Sequence, residues 1–205
     1  MDQSCSAQTP PITQSTPVPI IGVEYCASAD PLQLVMVKEI LHISDGNFEV
    51  TDSVDNVVFN VKGKIATLRG RRVLYDAAGN PIVTIRKKIP SLHERWEVFK
   101  GESAKSRDLI FSVKRSAMVQ SETNLLVFLA NNNEENFCDY KVKVGSEQSC
   151  QIYIRDSSTE VAKMRQKETT GSIFLDRNKY IVTVNPNMDC AFIVSLIVLL
   201  DDINE

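Results

Sequence analysis

Ala191-Phe-Ile-Val-Ser-Leu-Ile-Val-Leu-Leu200 is apolar on every side and is followed at once by Asp201-Asp-Ile-Asn-Glu205. A helix that is hydrophobic around its whole circumference must be enclosed, either by lipid or by protein. A bilayer core demands roughly 17 to 25 apolar residues. This run spans ten, with Asp189 before it and two aspartates after it. It therefore reads as a core helix of about residues 187–203 rather than a transmembrane span. Asn185-Pro186-Asn187 reads as its start, because Asn caps helices and Pro suits a first helical position, and Asp189 favours the positive end of the dipole. Asp201 and Asp202 stand at the unfavourable end, so they are expected in solvent beyond the helix. Ser195, the lone polar residue, is expected to bond the carbonyl four residues back.

What encloses the helix is written upstream as short strands separated by turn signals. Phe48–Asp52 leads through Ser53–Asn56 into Val57–Val61, and Arg72–Asp76 leads through Ala77–Asn80 into Pro81–Ile85. The two units are copies at an offset of 24 residues: Asp52 matches Asp76, Asn56 matches Asn80, Val58 matches Ile82, Val61 matches Ile85 and Lys62 matches Arg86. Each is a hairpin, in which Asp closes the first strand and Asn or Gly tolerates positive φ in the turn. A third, degenerate copy is expected at Ile154–Asp156 through Glu160–Met164. Further strands are read at Arg95–Phe99, Leu109–Val113, Leu125–Leu129, Asp139–Val144, Cys150–Ile154 and Tyr180–Val184. Residues 32–41 fit a helix or a strand equally. Many antiparallel strands that close on themselves lose their exposed edges, and the barrel so formed must be filled. The apolar C-terminal segment is the expected filling.

At 205 residues, with 43% hydrophobic and 24% charged residues, the composition is that of a globular protein. Residues 1–19 carry four prolines and no basic residue, which reads as a disordered tail without a signal peptide. Residues 20–205 are expected to form one domain. The five cysteines (Cys5, Cys26, Cys138, Cys150 and Cys190) are scattered and lack CxxC spacing, which points to reduced thiols and a cytosolic or nuclear setting rather than secretion.

Four blocks in order carry a family likeness: Ser44–Phe48, the turn Asp76–Pro81, His93–Gly101, and Asp189–Ile193 running on to Leu200–Asn204. Together they resemble the plant LURP-one-related proteins from about residue 20 to the end. That resemblance implies a mainly β fold like the tubby C-terminal domain and the phospholipid scramblases, a twelve-stranded antiparallel closed barrel enclosing a hydrophobic C-terminal α-helix. It also implies a relation to membrane-tethered regulators and, for some members, to plant defence. The chain departs from the family pattern at Asp55, where the first turn usually has Gly, and at Cys190, where an aromatic is usual.

No catalytic constellation is legible. His42 and His93 are the only histidines, no nucleophile elbow or phosphate-binding glycine loop is present, no spacing fits zinc or calcium, and no cofactor is implied. Charge is the one functional signal. Between residues 62 and 88 stand eight basic residues (Lys62, Lys64, Arg69, Arg71, Arg72, Arg86, Lys87 and Lys88) against one acid, Asp76, a local charge of +7 in a chain of net −3. On neighbouring hairpins these side chains read either as a solvated face with edge-protecting lysines or as a convergent contact for anionic membrane lipid headgroups such as phosphoinositides, at the periphery of the plasma membrane. The alternative is a protein-interaction scaffold with an unidentified protein partner and no lipid binding. Nucleic acid is the weaker partner, since Tyr75 and Trp96 are too few for a stacking platform.

Overall fold

The computed structural model describes residues 16–39, 47–63, 70–89, 94–116, 124–132, 134–145, 149–155, 157–167 and 179–204. The expected tail residues 1–15, Cys5, both histidines, Lys64 and Arg69 lie outside the described residues. Twelve strands occur among the described residues: β1 (Leu32–Lys38), β2 (Phe48–Thr51), β3 (Val57–Gly63), β4 (Arg72–Asp76), β5 (Pro81–Lys87), β6 (Arg95–Lys100), β7 (Leu109–Arg115), β8 (Asn124–Leu129), β9 (Tyr140–Val144), β10 (Cys150–Ile154), β11 (Glu160–Gln166) and β12 (Lys179–Val184). Each pairs antiparallel with its sequence neighbours, and β1 also pairs with β12, so the sheet closes as a barrel. The ambiguous segment after residue 31 is the strand β1. Its Leu34 and Met36 alternate inward and are fully buried, a period of two that only a strand turns to one face.

The repeated hairpins show why their residues recur. Asp52 and Asp76 each accept the main-chain and side-chain N–H groups of Asn56 and Asn80, respectively, at 2.7–2.9 Å. The turn then needs one left-handed residue, and Asp55 (φ 63°) and Gly79 (φ 85°) occupy equivalent positions. The departure from Gly at position 55 thus keeps the turn, since Asp tolerates this conformation better than most residues. The third copy pairs Cys150–Tyr153 with Glu160–Met164 and contains a bulge between Ile152 and Tyr153.

The barrel encloses α1 (Cys190–Asn204), a helix of fifteen residues or about 22 Å. Every residue from Cys190 to Leu200 is buried, which accounts for the absence of a polar face. Phe192 packs edge-on against Phe111, with centroids 5.1 Å apart, and against Tyr140 at 5.0 Å. The Ser195 hydroxyl donates to the Ala191 carbonyl at 2.7 Å, as its position predicts. No helix among the described residues is long and apolar enough to cross a membrane.

Both helix ends differ from the expectation. Asn187 has φ 64°, which a helix cannot accommodate, so α1 begins later. Its cap is Asp189, fully buried, whose Oδ1 accepts the Phe192 N–H at 3.0 Å. The other oxygen accepts three consecutive N–H groups, those of Ile20, Ile21 and Gly22, at 3.0, 2.6 and 3.1 Å. Val18, which the sequence places in the tail, pairs with Met188 alongside. At the far end Asp201 and Asp202 are not free in solvent. They belong to the helix and meet cations and a donor from the barrel wall.

Candidate functional site

Besides Asp189 at the helix N-terminus, the buried charge among the described residues stands at the end of the barrel reached by the helix C-terminus. Arg72 is 4% exposed and points inward; its Nη1 donates to the Val198 carbonyl at 3.2 Å and to Asp201 at 2.9 Å. Lys38 Nζ donates to the other Asp201 oxygen at 2.9 Å, and Trp96 Nε1 donates to Asp202 at 2.7 Å. These cations offset the negative end of the helix dipole and make two aspartates tolerable there. Arg72 is therefore a structural cation of the core, not a surface contact.

Three of the other described cations of the basic stretch are paired with carboxylates. Arg86 and Lys88 share Glu97 at 3.0 and 3.2 Å, and Lys87 pairs with Glu94 at 3.3 Å. Arg71 donates to the Glu102 carbonyl at 3.0 Å. Lys62 is exposed and lies over the Tyr75 ring at 5.6 Å. The pleat explains the dispersal: Arg71 and Arg72 are adjacent in sequence and so face opposite sides of the sheet. The neighbouring strand β6 supplies the acids. Farther round the same wall, Glu135 accepts from both Arg95 and Lys114, and Glu94 also accepts from Arg115.

A different stretch of wall, β9 to β12, carries a groove of about 440 Å³. Its lining includes Lys143, Lys163, Arg165, Gln151, Ser149 and Thr183. Register places the first of these in one row: Lys143 stands opposite Gln151, Gln151 opposite Lys163, and Lys163 opposite Thr183. Strand spacing puts Lys143 and Lys163 roughly 10 Å apart at Cα, with Arg165 roughly 6.5 Å further along β11 on the same outer face. All three cations are exposed. Among the described residues none has an ion-pair partner and no carboxylate lines the groove. Lys143 is held over the Tyr153 ring at 4.9 Å. The nearby Glu160 takes the Gln151 amide at 3.0 Å.

Comparison with known proteins fits this geometry. Residues 32–201 match the family model described as LURP-one-related. The chain belongs to the LURP-one-related family. It is 46% identical to Protein LURP-one-related 15 of Arabidopsis thaliana over 188 residues, 91% of this chain and 86% of the relative. It is 42% identical to Protein LURP1 of the same organism, over 92% of this chain and 91% of that one. An X-ray structure of an Arabidopsis thaliana protein aligns with a TM-score of 0.70 at 38% identity, covering 91% of this chain and 98% of the other.

Within this LURP-one-related barrel three of the described cysteines, Cys138, Cys150 and Cys190, are buried. Burial pushes the Cys150 and Cys190 thiols up to about 12, far from the thiolate form. Among the described residues no three His, Cys, Asp or Glu side chains are grouped to hold a metal ion. Sequence reasoning missed Lys143, Lys163 and Arg165 because twenty residues separate the first two. The signal that finds them is pairing register, not local charge density.

Proposed function

We propose that this LURP-one-related chain is a non-catalytic binding protein that meets anionic lipid headgroups with the outer wall of its barrel, as a peripheral regulator at a membrane surface. One observation carries the reading: a cluster of cations without carboxylate partners among the described residues stands on the outside of a barrel whose axis is occupied by a buried helix. A chain of net −3 that pairs many of its cations with carboxylates, yet leaves this cluster without carboxylate partners among the described residues, has set up a local attraction for anions. Each cation near an anionic surface contributes about 1 kcal/mol. The absence of enzymatic names among its relatives and the inert, buried thiols fit a binding role.

Co-sedimentation of the full chain with phosphatidylcholine vesicles, with and without anionic lipid, tests the proposal. Binding only to the anionic vesicles, lost at high salt, is the expected result. Equal recovery with both compositions would refute it. A scaffold role finds its support in Val23, Val54 and Phe137, apolar side chains exposed in the connections near the helix N-terminal end. It gains if anionic vesicles fail and a specific protein partner is recovered whose binding is lost in Phe137→Ser.

A further inference from the structure

We infer that the groove on β9–β12 is a seat for a phosphate monoester, with Lys143, Lys163 and Arg165 as its cationic contacts and the hydroxyl of Thr183 as a further donor. The inference rests on the lipid reading above for its biological setting, and deepens it by naming the site and the chemistry. The contrast between the two walls of the barrel is its foundation. On β5–β7 the cations Arg86, Lys87, Arg95, Lys114 and Arg115 each have a carboxylate. On β9 and β11 the cations Lys143, Lys163 and Arg165 have none among the described residues.

Charge selects the ligand. A phosphate monoester carries about −1.5 to −2 at neutral pH and so takes up more of the positive charge of three cations than the single charge of a carboxylate or a phosphodiester does. Geometry agrees. The guanidinium fork of Arg165 suits two oxygens of one phosphate, with Lys163 beside it on β11 and Lys143 approaching as a point charge from β9 across the groove. Lys143 is already oriented by Tyr153, which lowers the ordering cost on binding. Glu160 accepts the Gln151 amide outside the groove lining, so its charge stands off the three cations. A groove of about 440 Å³ has the size of a small-molecule site and accommodates a phosphorylated ring rather than a bare ion only.

The same chemistry occurs in a lipid headgroup and in a soluble sugar phosphate, so the test has two arms. In the first, the full chain is titrated with inorganic phosphate and with inositol 1,4,5-trisphosphate, followed by amide shifts of the groove residues and by calorimetry. In the second, it is sedimented with phosphatidylcholine vesicles carrying phosphatidylinositol 4-phosphate, or phosphatidylserine at equal total charge. Lys143→Gln, Lys163→Gln and Arg165→Gln should each weaken the trisphosphate by about fivefold, and the triple variant by about a hundredfold. Arg107→Gln, on an exposed loop, should change nothing. Lys163→Arg, which keeps the charge, should bind as wild type and guards against a folding defect as the cause of loss.

Binding of the trisphosphate at the groove without vesicle binding would uphold the seat and remove the lipid reading. Vesicle binding that does not distinguish the two anionic lipids, and that survives the triple variant, would remove the seat and leave the lipid reading. Failure of wild-type protein to bind the trisphosphate would overturn the inference outright.

Discussion

Replacement of Asp189 should be among the most damaging single changes in this barrel, and Asp189→Asn is the informative form of it. The wild-type carboxylate spends one oxygen on the helix cap at Phe192 and the other on the three consecutive N–H groups of Ile20, Ile21 and Gly22. An amide has one acceptor oxygen. If it keeps the cap, its NH₂ confronts three donors; if it keeps the three donors, the cap is lost. A cap contributes about 1 kcal/mol. A hydrogen bond to a charged acceptor contributes about 1.5–3 kcal/mol when buried, and about 1 kcal/mol is reasonable for each of the half-buried 20–22 donors, which water can partly satisfy. Asp189→Ala, losing everything, should therefore cost about 4 kcal/mol, and Asp189→Asn about 3 kcal/mol. That is a large share of the roughly 5–15 kcal/mol of a typical domain. Urea unfolding with an unchanged m-value gives the magnitude, and amide exchange gives the site. In Asp189→Asn the amides of Ile20–Gly22 should lose protection while those of the mid-helix keep theirs. A stability loss under about 0.5 kcal/mol, with 20–22 still protected, would refute the reasoning.

Arg72→Met should cost about 2–3 kcal/mol, because it leaves Asp201 and Asp202 without their buried cation in a largely enclosed site at the negative end of the helix. It should also shift the emission of Trp96, the single tryptophan, whose Nε1 is bonded to the adjacent Asp202; unchanged stability would contradict that role. Cys150 and Cys190, held at about 12, should resist a maleimide in native protein at pH 8 and react once urea unfolds the chain. Rapid native labelling of Cys190 would show that the barrel opens. In the paired turns, Gly79→Ala should cost about 1–2 kcal/mol and Asp55→Gly should be neutral or stabilising, since both positions need the left-handed conformation. The Asn56 and Asn80 donors hold Asp52 and Asp76 below the ordinary value of 3.8. These groups stabilise the fold above that value and lose their effect as the pH falls through their lower folded values. Stability of the Asp52→Asn, Asp76→Asn double variant should accordingly depend less on pH below about 4.

The strands were legible because each hairpin states its own geometry. The Asp–Asn turns and the alternating apolar residues on either side fix both the reversal and the inward face without reference to the rest of the chain. Only β1 was ambiguous, and closure against β12, 150 positions away in the chain, decided it through pairs such as Leu34 with Val182. The helix was legible from its all-round apolarity, but its ends were not. Asp189 acts as a cap because Ile20–Gly22 arrive from the other end of the chain, and Asp201 is retained in the helix because Arg72 and Lys38 come from two other strands. The basic stretch misled for a related reason. Counting charge along the chain ignores the period of two, which sends Arg72 inward, and it stopped short of Glu94 and Glu97 on the next strand. The groove lies beyond linear reading altogether, since its cations come from two strands separated by β10.

Amide exchange of the full chain with and without phosphoinositide-bearing vesicles tests the central claim most directly, that the outer wall binds while the apolar helix stays inside. Protection should rise on β9–β12 around Lys143, Lys163 and Arg165, with the amides of α1 unchanged. Altered exchange throughout Ala191–Leu200 on addition of vesicles, with β9–β12 unaffected, would mean that the helix leaves the barrel for the bilayer, and would contradict the account.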